Sequence, residues 1–413
     1  MTITRLGHQG DGIAEGPVYV PRTLPGEVVT GTLDGATLRD ARIVTPSAQR
    51  VRAPCRHYAA CGGCDLQHAR DDFVAEWKEG VVRAALAAQG IEAEFLPIHT
   101  SPPGSRRRAT FAARRTKKGV TVGFHGRASD TIVDTDQCLI LHPDVLAGRA
   151  VAADLALVGA SRKAALAVGV TRTMSGLDVV VTGGKPLDDA LRIALPGVAR
   201  AHDLARLTWD AEVVALRRPP AQRFGRAEVV PPPGAFLQAT PDGEAALLAA
   251  VRRALGDAGR VVDLFAGCGT FALPLAEQAE VLAIEGDAAM IQALDRGWRS
   301  APGLKRVRAE ARDLFRRPLL AEELQRLDAA VIDPPRAGAE AQTAMLARSG
   351  IPVIAAISCN PVTFARDAKS LVQAGYRLNW VQVVDQFRWS PHVELAAAFT
   401  LAHIPGRRAR STS

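Results

Sequence analysis

The sequence predicts a multidomain α/β protein whose C-terminal part is a Rossmann-like, doubly wound parallel domain. From about residue 235 onward, continuous apolar segments alternate with amphipathic helical segments. Continuous apolar strands are typical of a parallel sheet that is covered by helices on both faces. The chain has 413 residues, and at about 100 to 200 residues per domain this length allows two or three domains. We expect three, at residues 1–48, 49–225 and 226–413.

Composition excludes several classes of protein. With 47% hydrophobic and 23% charged residues, the chain is too apolar to be disordered. It has no apolar run of roughly 18 residues and no apolar signal core near Met1, so we expect a cytoplasmic protein without a membrane span. Six cysteines are too few for a disulfide scaffold, and clustered ones are expected to bind metal or to act in catalysis. The net charge of +8 would suit a nucleic acid if the positive charge is concentrated.

The first 48 residues predict a small, OB-like β-barrel. Short strand-like segments at 16–21 and 26–33 are separated by glycine turns, and Asp34-Gly35 is a tight-turn signal. The five basic and five acidic side chains of residues 1–50 cancel. A structural barrel and an RNA-binding barrel therefore both remain open.

The central region, residues 49–225, predicts an α+β domain. Apolar residues recur at helical spacing from Asp71 to Gln89, and we leave open whether this helix packs on the C-terminal domain. Strands are expected at Ala109–Ala113, Val120–Phe124 and Thr131–Asp134, with a turn at Lys118-Gly119 between the first two. Proline-rich segments near residues 219 and 231 mark the end of the region.

The predicted hairpin carries a run of positive charge. Seven basic residues and no acidic one lie between positions 106 and 118. Most such runs are solvated faces of a strand or helix, but this one lies on a hairpin close to a cysteine cluster, and we expect it to contact RNA phosphates. The residues are Arg106, Arg107, Arg108, Arg114, Arg115, Lys117 and Lys118.

Four cysteines of the central region have the spacing of metal ligands. Cys55, Cys61 and Cys64 lie within ten residues of one another, and Cys138 follows 74 positions further on. Four-cysteine zinc sites usually consist of two close pairs, whereas three ligands plus a distant fourth suit a 4Fe-4S cluster. A zinc site and unliganded thiols remain alternatives. We expect the metal to hold the central domain to the strand that carries Cys138.

The strand ends of the C-terminal domain predict a cofactor site. Gly267 and Gly269, after the first strand, allow the backbone to approach a ligand closely, but they do not form the G-x-G-x-x-G of a dinucleotide site. Any one acidic residue at a strand end is more often a helix cap than a ligand. Four of them without a phosphate-binding motif favour a positively charged nucleoside, S-adenosylmethionine. They are Asp263, Glu285, Asp313 and Asp333, of which Glu285 is placed to accept ribose hydroxyl protons.

Two further residues predict covalent chemistry. Cys359, between Ser358 and Asn360 at a strand end, is either a small core residue or a nucleophile, and its polar neighbours favour the nucleophile. Glu394 begins an apolar strand, where an unpaired carboxylate is costly. Burial there would raise its pKa toward that of a general base.

These motifs together resemble the RNA uracil-C5 methyltransferases, and the resemblance spans nearly the whole chain. It is carried by the cysteine cluster, Phe236-Leu-Gln238, Asp263-Leu-Phe-Ala-Gly-Cys-Gly269, Asp333-Pro-Pro-Arg336, Ser358-Cys-Asn-Pro361 and His392-Val-Glu394. The N-terminal segment resembles a TRAM barrel. The tRNA branch of the family generally lacks both the barrel and the cluster cysteines, so the first 64 residues favour the 23S rRNA branch, the RumA/RlmD type.

The resemblance implies a class I methyltransferase domain, an RNA partner with no obligate protein partner evident, and a 4Fe-4S cluster. It also implies that Cys359 adds to C6 of uracil, that C5 receives the methyl group of S-adenosylmethionine, and that Glu394 removes the C5 proton. Cofactor contacts fall on Gln238, Phe265, Gly267, Glu285, Asp313 and Asp333. Thr270 departs from the family, in which the rRNA branch often has Asn, and this puts one cofactor contact in doubt. A role for Arg336 in orienting the base is not separable from a structural salt bridge.

Other functions remain to be weighed. A tRNA-specific enzyme is the first alternative. A methyltransferase acting on an exocyclic nitrogen would share the fold but would need no cysteine nucleophile. A non-catalytic RNA-binding protein would have lost Cys359, Glu394 or Gln238, and all three are present.

Overall fold

The computed structural model describes residues 1–402 and begins with the expected small barrel. Its strands are β1 (Ile3–Leu6), β2 (Gly12–Ala14), β3 (Val18–Val20), β4 (Val28–Asp34) and β5 (Thr37–Thr45). They follow the order β1-β2-β3-β5-β4, and a bridge between Thr2 and Val28 joins the first strand to the last. The tight turn predicted at Asp34-Gly35 is confirmed, since Gly35 has a φ of +57° between β4 and β5.

A helix and a strand then leave the barrel for the C-terminal part of the molecule. They are α1 (Asp71–Ala87) and β6 (Glu94–Thr100). The helix is the one that the apolar spacing predicts, and it buries Val74, Val82 and Leu86. The strand was not predicted.

The central region forms a seven-stranded sheet with two helices packed against it. Its elements are β7 (Arg108–Arg115), β8 (Val120–His125), β9 (Ile132–Asp134), α2 (Pro143–Gly159), β10 (Leu166–Thr173), β11 (Gly176–Thr182), α3 (Asp189–Ala201), β12 (Arg206–Trp209) and β13 (Glu212–Leu216). The strand order is β13-β12-β11-β10-β7-β8-β9. The hairpin of β7 and β8 is confirmed, with Arg115 opposite Val120. Phe111, Leu155, Leu195 and Trp209 lie in the core beneath it.

A two-stranded hairpin, β14 (Gln222–Phe224) and β15 (Ala227–Val229), follows the central sheet. Phe224 and Val229 are buried in the apolar core of the C-terminal part. The predicted boundary between residues 225 and 226 falls in the turn of this hairpin. In space the hairpin belongs to the C-terminal domain, because its apolar side chains are buried there.

The C-terminal part is the expected parallel sheet with helices on both faces. Its elements are α4 (Pro241–Leu255), β16 (Arg260–Leu264), α5 (Ala272–Leu275), β17 (Glu280–Glu285), α6 (Ala288–Ser300), β18 (Val307–Ala311), α7 (Ala321–Leu324), β19 (Ala329–Ile332), α8 (Glu340–Ser349), β20 (Val353–Ser358), α9 (Pro361–Gln373), β21 (Tyr376–Asp385) and β22 (Leu395–Leu401). The order is β18-β17-β16-β19-β20-β22-β21-β6. Strands β16 to β20 run parallel, and β22 is antiparallel to β20. Successive residues of β16 point into separate cores, Val261 into one and Val262 into the other.

The segment that leaves the barrel completes this sheet. Strand β6 pairs in parallel with β21, and α1 packs against α9. Val82 and Leu86 share an apolar core with Val262 and Ile354. Residues 71–100 therefore belong in space to the C-terminal sheet, although they precede the central sheet in sequence.

No helix within residues 1–402 is long and apolar enough to cross a membrane. The last 11 residues of the predicted third domain lie outside the described part of the chain.

Candidate active site

The carboxyl ends of the parallel strands bring the predicted site residues to one edge of the sheet, which is where open α/β sheets bind ligands. Each residue is the last of its strand or lies within three residues after it. They are Phe265 and Gly267 after β16, Glu285 as the last residue of β17, Asp313 after β18, Asp333 after β19 and Cys359 after β20.

The antiparallel strand β22 adds Glu394 to this edge. Ser358, the last residue of β20, lies opposite Leu395, the first residue of β22. Cys359 and Glu394 are the next residues outward on the two strands, so the pairing register places them side by side. Cys359 is half-buried and Glu394 is 4% exposed.

The environment of Cys359 favours the neutral thiol. Burial raises the pKa of Cys359 to about 11, and the nearby carboxylates of Glu394 and Asp333 add to this effect. Asn360 caps α9 by accepting a hydrogen bond from the backbone N–H of Val362 at 3.1 Å, and a helix N-terminus favours a thiolate. Burial outweighs the helix, so attack by this thiol requires that its proton be removed.

Burial makes both neighbouring carboxyl groups better proton acceptors than a solvent-exposed carboxylate. Burial raises the pKa of Glu394 well above its usual value, and Asp333 raises it further. Burial raises the pKa of Asp333 to about 7. A base that works at neutral pH needs a pKa in this range.

Two buried amides connect these carboxyl groups. Nε2 of Gln386 donates to Oε1 of Gln238 at 2.6 Å and to Oε2 of Glu394 at 3.2 Å. Nε2 of Gln238 in turn donates to Oδ2 of Asp333 at 3.3 Å. Gln238, predicted as a cofactor contact, therefore links Gln386, the partner of Glu394, to Asp333.

Sequence reasoning missed Gln386. The available signal was its position, directly after the long apolar strand β21 and eight residues before Glu394.

The loop after β16 is shaped to receive a ligand. Phe265 has a φ of +66° and Gly267 one of +56°, and a left-handed conformation at a phenylalanine is sparsely populated and concentrated at functional sites. Oε2 of Glu285 accepts a hydrogen bond from the backbone N–H of Gly267 at 3.0 Å. Glu285 thus holds the loop, in addition to its predicted contact with ribose.

Asp313 also has a structural role. Its Oδ1 accepts a hydrogen bond from the backbone N–H of Phe315 at 3.0 Å, which fixes a turn at residues 314–316 rather than capping a helix, since the next helix, α7, begins at Ala321. The ring of Phe315 lies 5.4 Å from that of Phe265 and is half exposed. The two rings give this end of the site an apolar wall.

Asp263 requires a correction. It lies inside β16 rather than at its end, and its side chain is fully buried. Burial raises the pKa of Asp263 well above its usual value, with Asp333 and Glu285 adding to the effect. The carboxyl groups that line the open edge are therefore Glu285, Asp313 and Asp333, with Asp263 beneath them.

The four cysteines predicted as metal ligands line one cavity of about 340 Å³. Burial raises the pKa of Cys64 to about 12, and Cys138, Cys61 and Cys55 contribute to the shift. Within residues 1–402, no three His, Cys, Asp or Glu side chains are close enough to hold a single metal ion. This finding supports neither a zinc site nor a 4Fe-4S cluster, and the cluster stays a prediction.

The basic run divides into buried and accessible residues. Arg107 is 5% exposed, pairs with Glu244 and donates to the carbonyl oxygen of Gln238 at 2.9 Å. Its inclusion among the RNA-binding residues is corrected, because its charge is already neutralised inside the protein.

The other six basic residues remain candidates. Arg106 and Arg108 are half-buried, with guanidinium groups 6.0 Å from the ring of Phe387 and 5.6 Å from that of Phe236. Arg114 and Arg115 are half-buried, and Lys117 and Lys118 are exposed at the tip of the hairpin.

Segments from the N-terminal half hold the loop at 386–394. Nζ of Lys78, on α1, donates to Oδ1 of Asp385 at 2.6 Å, and both side chains are fully buried. The carbonyl oxygen of Trp389 accepts hydrogen bonds from the backbone N–H groups of Asp65 at 2.9 Å and Leu66 at 3.0 Å. The loop that leads to Glu394 is therefore fixed by α1 and by the segment next to Cys64.

The sequence was compared with protein families and with known proteins. Residues 232–400 match the model of the tRNA (uracil-5-)-methyltransferase family. An uncharacterised RNA methyltransferase of Brucella suis is 44% identical, with 97% of each chain covered. The 23S rRNA (uracil(1939)-C(5))-methyltransferase RlmD of Halomonas elongata is 33% identical, with 95% of this chain and 88% of the relative covered.

Among solved structures, the tRNA (uracil-54, C5)-methyltransferase of Pyrococcus abyssi in complex with S-adenosyl-L-homocysteine matches with a TM-score of 0.75. The sequences are 23% identical, and the match covers 97% of this chain and 98% of the other. The likeness shows that the two share a fold over their whole length.

Proposed function

This chain belongs to the S-adenosylmethionine-dependent RNA uracil-C5 methyltransferases, and we propose that it methylates C5 of a uridine in 23S rRNA with Cys359 as nucleophile and Glu394 as base. One observation carries the proposed mechanism. The register of β20 against β22 places a thiol and a buried carboxyl group side by side at the cofactor edge. A methyltransferase acting on an exocyclic nitrogen would need no such thiol.

The chemistry of uracil explains why both groups are needed. C5 of uracil is a poor nucleophile, and addition of the Cys359 thiolate to C6 turns the ring into an enolate whose C5 can attack a methyl group. S-adenosylmethionine supplies that methyl group when bound. Glu394 then takes the proton from C5, the electrons of the C5–H bond re-form the C5–C6 double bond, and the C6–S bond breaks. Cys359 leaves as a thiolate.

The cofactor-binding residues proposed are those predicted from the sequence. Their arrangement supports this role in two ways. Phe265 and Phe315 form an apolar wall, and Glu285 and Asp313 are fixed by hydrogen bonds from backbone N–H groups at the strand ends. Gln238 and Asp333 lie on the side of the site that faces Cys359 and Glu394. The full set is Gln238, Phe265, Gly267, Glu285, Asp313 and Asp333.

Three observations bear on the RNA substrate. The Halomonas relative, aligned over 95% of this chain, is named a 23S rRNA methyltransferase. The four clustered cysteines favour the rRNA branch, whereas the N-terminal barrel, which we assign to the TRAM type, does not discriminate, because the tRNA methyltransferase of Pyrococcus abyssi shares the fold over 97% of this chain. Lys117 and Lys118 extend the basic hairpin into solvent, where they can neutralise RNA phosphates. We therefore place the protein in the cytoplasm, with ribosomal RNA.

We propose that Cys55, Cys61, Cys64 and Cys138 hold a 4Fe-4S cluster. The proposal is supported by a shared cavity lined by all four thiols. Bound there, the cluster would cross-link the segment at 55–64 to Cys138, which lies in the loop between β9 and α2 rather than on a strand as expected, and no step of methyl transfer passes through it. Brown colour and four iron atoms per chain after anaerobic purification are expected; a colourless protein that binds zinc instead would contradict the assignment.

The proposed mechanism is tested with RNA that contains 5-fluorouridine. Fluorine replaces the proton that Glu394 must remove, so the reaction stops at the covalent stage. We expect a denaturation-resistant protein–RNA adduct that Cys359→Ala abolishes, while this variant still binds S-adenosylhomocysteine. Undiminished methylation by Cys359→Ala would refute the mechanism. Transcripts of 23S rRNA fragments and of tRNA, compared as substrates, decide the target, and faster methylation of tRNA would refute the rRNA assignment.

A further inference from the structure

Gln386 makes hydrogen bonds with every polar atom of its side chain. It is 2% exposed and follows the end of β21. Its Oε1 accepts a hydrogen bond from the backbone N–H of Ala239 at 2.7 Å. A backbone N–H can only donate, so this contact fixes which end of the amide is oxygen and which is nitrogen. The two N–H groups of Gln386 then face two acceptors, Oε1 of Gln238 and Oε2 of Glu394.

The orientation of the Gln238 amide is fixed in the same way. Because Oε1 of Gln238 is engaged by Gln386, its Nε2 is directed at Oδ2 of Asp333. The backbone of Ala239 thus orients two amides in series, and each amide presents an N–H to one carboxyl group. The acceptors at the ends of the series are Glu394 and Asp333. Burial raises the pKa of both carboxyl groups.

A donor to a carboxylate favours its ionised form. The hydrogen bond from Gln386 opposes the burial that raises the pKa of Glu394. It also holds one carboxylate oxygen, which leaves the other free to accept a proton. The titratable groups that interact with Glu394 are Asp333 and Cys359, and Gln386 is a neutral donor beside it.

We infer that Gln386 is a positioning residue that keeps Glu394 oriented and ionised for removal of the C5 proton. The inference rests on the proposed function, and it assigns Gln386 to the second half of the reaction. Addition of Cys359 and transfer of the methyl group precede the step in which Glu394 acts. Loss of Gln386 should therefore slow resolution of the methylated covalent intermediate more than it slows its formation.

The test uses Gln386→Met, which keeps the length of the side chain and removes its donors. With ordinary uridine RNA, we expect the methylated protein–RNA adduct to accumulate on denaturing gels and product release to slow by roughly tenfold or more, the size expected from losing a hydrogen bond to a charged group. In a single turnover, the rate constant for adduct formation by Gln386→Met should stay within about threefold of the wild-type value.

Gln342→Met is the matched control. Gln342 is an equally buried glutamine on α8, and its amide bonds the backbone N–H and carbonyl of Leu319, away from the carboxyl groups. If Gln386 had only a structural role, both variants should lose activity to a similar extent, and neither should accumulate the methylated protein–RNA adduct. If Gln386→Met does not fold, Gln386→Asn serves instead, because it keeps an amide but is one methylene too short to reach Glu394, and it should accumulate the same adduct.

A pH profile supplies a second readout. Without the donor, Glu394 ionises at higher pH, so the rate of Gln386→Met relative to wild type should rise as pH rises from 6 to about 9. The rate compared is that of product release from the methylated adduct, in which Cys359 is covalently bound to the base and does not titrate. No accumulated adduct together with a ratio independent of pH would overturn the inference. Failure of the wild type to form the 5-fluorouridine adduct would instead overturn the proposed function.

Discussion

Replacing Lys78 by methionine should destabilise the protein more than any exposed charge substitution. Lys78 is fully buried on α1, and its ammonium group donates to Oδ1 of Asp385 at 2.6 Å and to the carbonyl oxygen of Phe387 at 3.1 Å. In Lys78→Met, the Asp385 carboxylate stays buried with one remaining donor, the backbone N–H of Phe387 at 3.0 Å. An uncompensated charge would then lie between α1 and the end of β21.

The expected loss of stability follows from the burial of this ion pair. Breaking a buried ion pair by removing one partner costs about 3–5 kcal/mol, whereas an exposed pair is worth about 0–1 kcal/mol. The pair of Arg192 and Glu212 is half exposed, so Arg192→Met is the matched control. Removing both buried charges, in Lys78→Met with Asp385→Leu, leaves no isolated charge and should restore most of the loss.

Urea unfolding followed by tryptophan fluorescence measures these differences, since Trp389 lies in the loop that the pair supports. We expect the midpoint to fall markedly for Lys78→Met, to recover in the double variant and to change little for Arg192→Met. A loss below about 1 kcal/mol for Lys78→Met, or a double variant no more stable than the single one, would refute the assignment of an unpaired buried charge.

Two further predictions concern pH and RNA. Because burial raises the pKa of Cys359 to about 11, the thiolate fraction of the free enzyme grows about tenfold per pH unit below that value. We therefore expect kcat/KM for adduct formation with 5-fluorouridine RNA to keep rising to about pH 9. A plateau below pH 8 would contradict the environment assigned to Cys359. Substituting Lys117 and Lys118 by Glu should lower the slope of log affinity against log salt by about 2. Arg107→Met should leave that slope unchanged while lowering stability by about 3 kcal/mol, because it removes the partner of the largely buried carboxylate of Glu244. Equal slopes for all the variants would contradict the division of the basic run.

The sequence predicted the residues at the strand ends because two local signals coincide there. Continuous apolar strands mark a parallel sheet, and such a sheet collects ligands at its carboxyl edge. Glu285, Asp333 and Cys359 could be placed by that rule alone. The adjacency of Cys359 and Glu394 depends on the register of β22 against β20, which no local pattern specifies.

Contacts between distant parts of the chain were beyond sequence reasoning. Strand β6 pairs with β21, and Lys78 meets Asp385 across 307 positions. A strand of seven residues with a proline in it, Glu94–Thr100, carries little pattern of its own, since proline weakens a strand assignment. A lysine in an amphipathic helix is ordinarily assigned to the solvent face.

Arg107 shows a signal that was present and unused. Side chains alternate between the two faces of extended chain, so Arg107 points away from Arg106 and Arg108. The charge of the run alone suggests that Arg106, Arg107 and Arg108 form one exposed surface. Alternation predicts instead that one of them turns into the protein, where Glu244 neutralises it.

The N-terminal half supports the loop that carries the proposed base, in addition to its proposed contact with RNA. The loop that ends at Glu394 is held by α1 through Lys78, by the cysteine segment through Asp65 and Leu66, and by the barrel, where Gly10 lies against Pro391. Trp389, which accepts the two hydrogen bonds from the cysteine segment, has a φ of +59°, and such a conformation persists only when its surroundings fix it. Asp65 follows Cys64 directly, so the segment that carries the clustered cysteines is hydrogen-bonded to the loop that leads to Glu394.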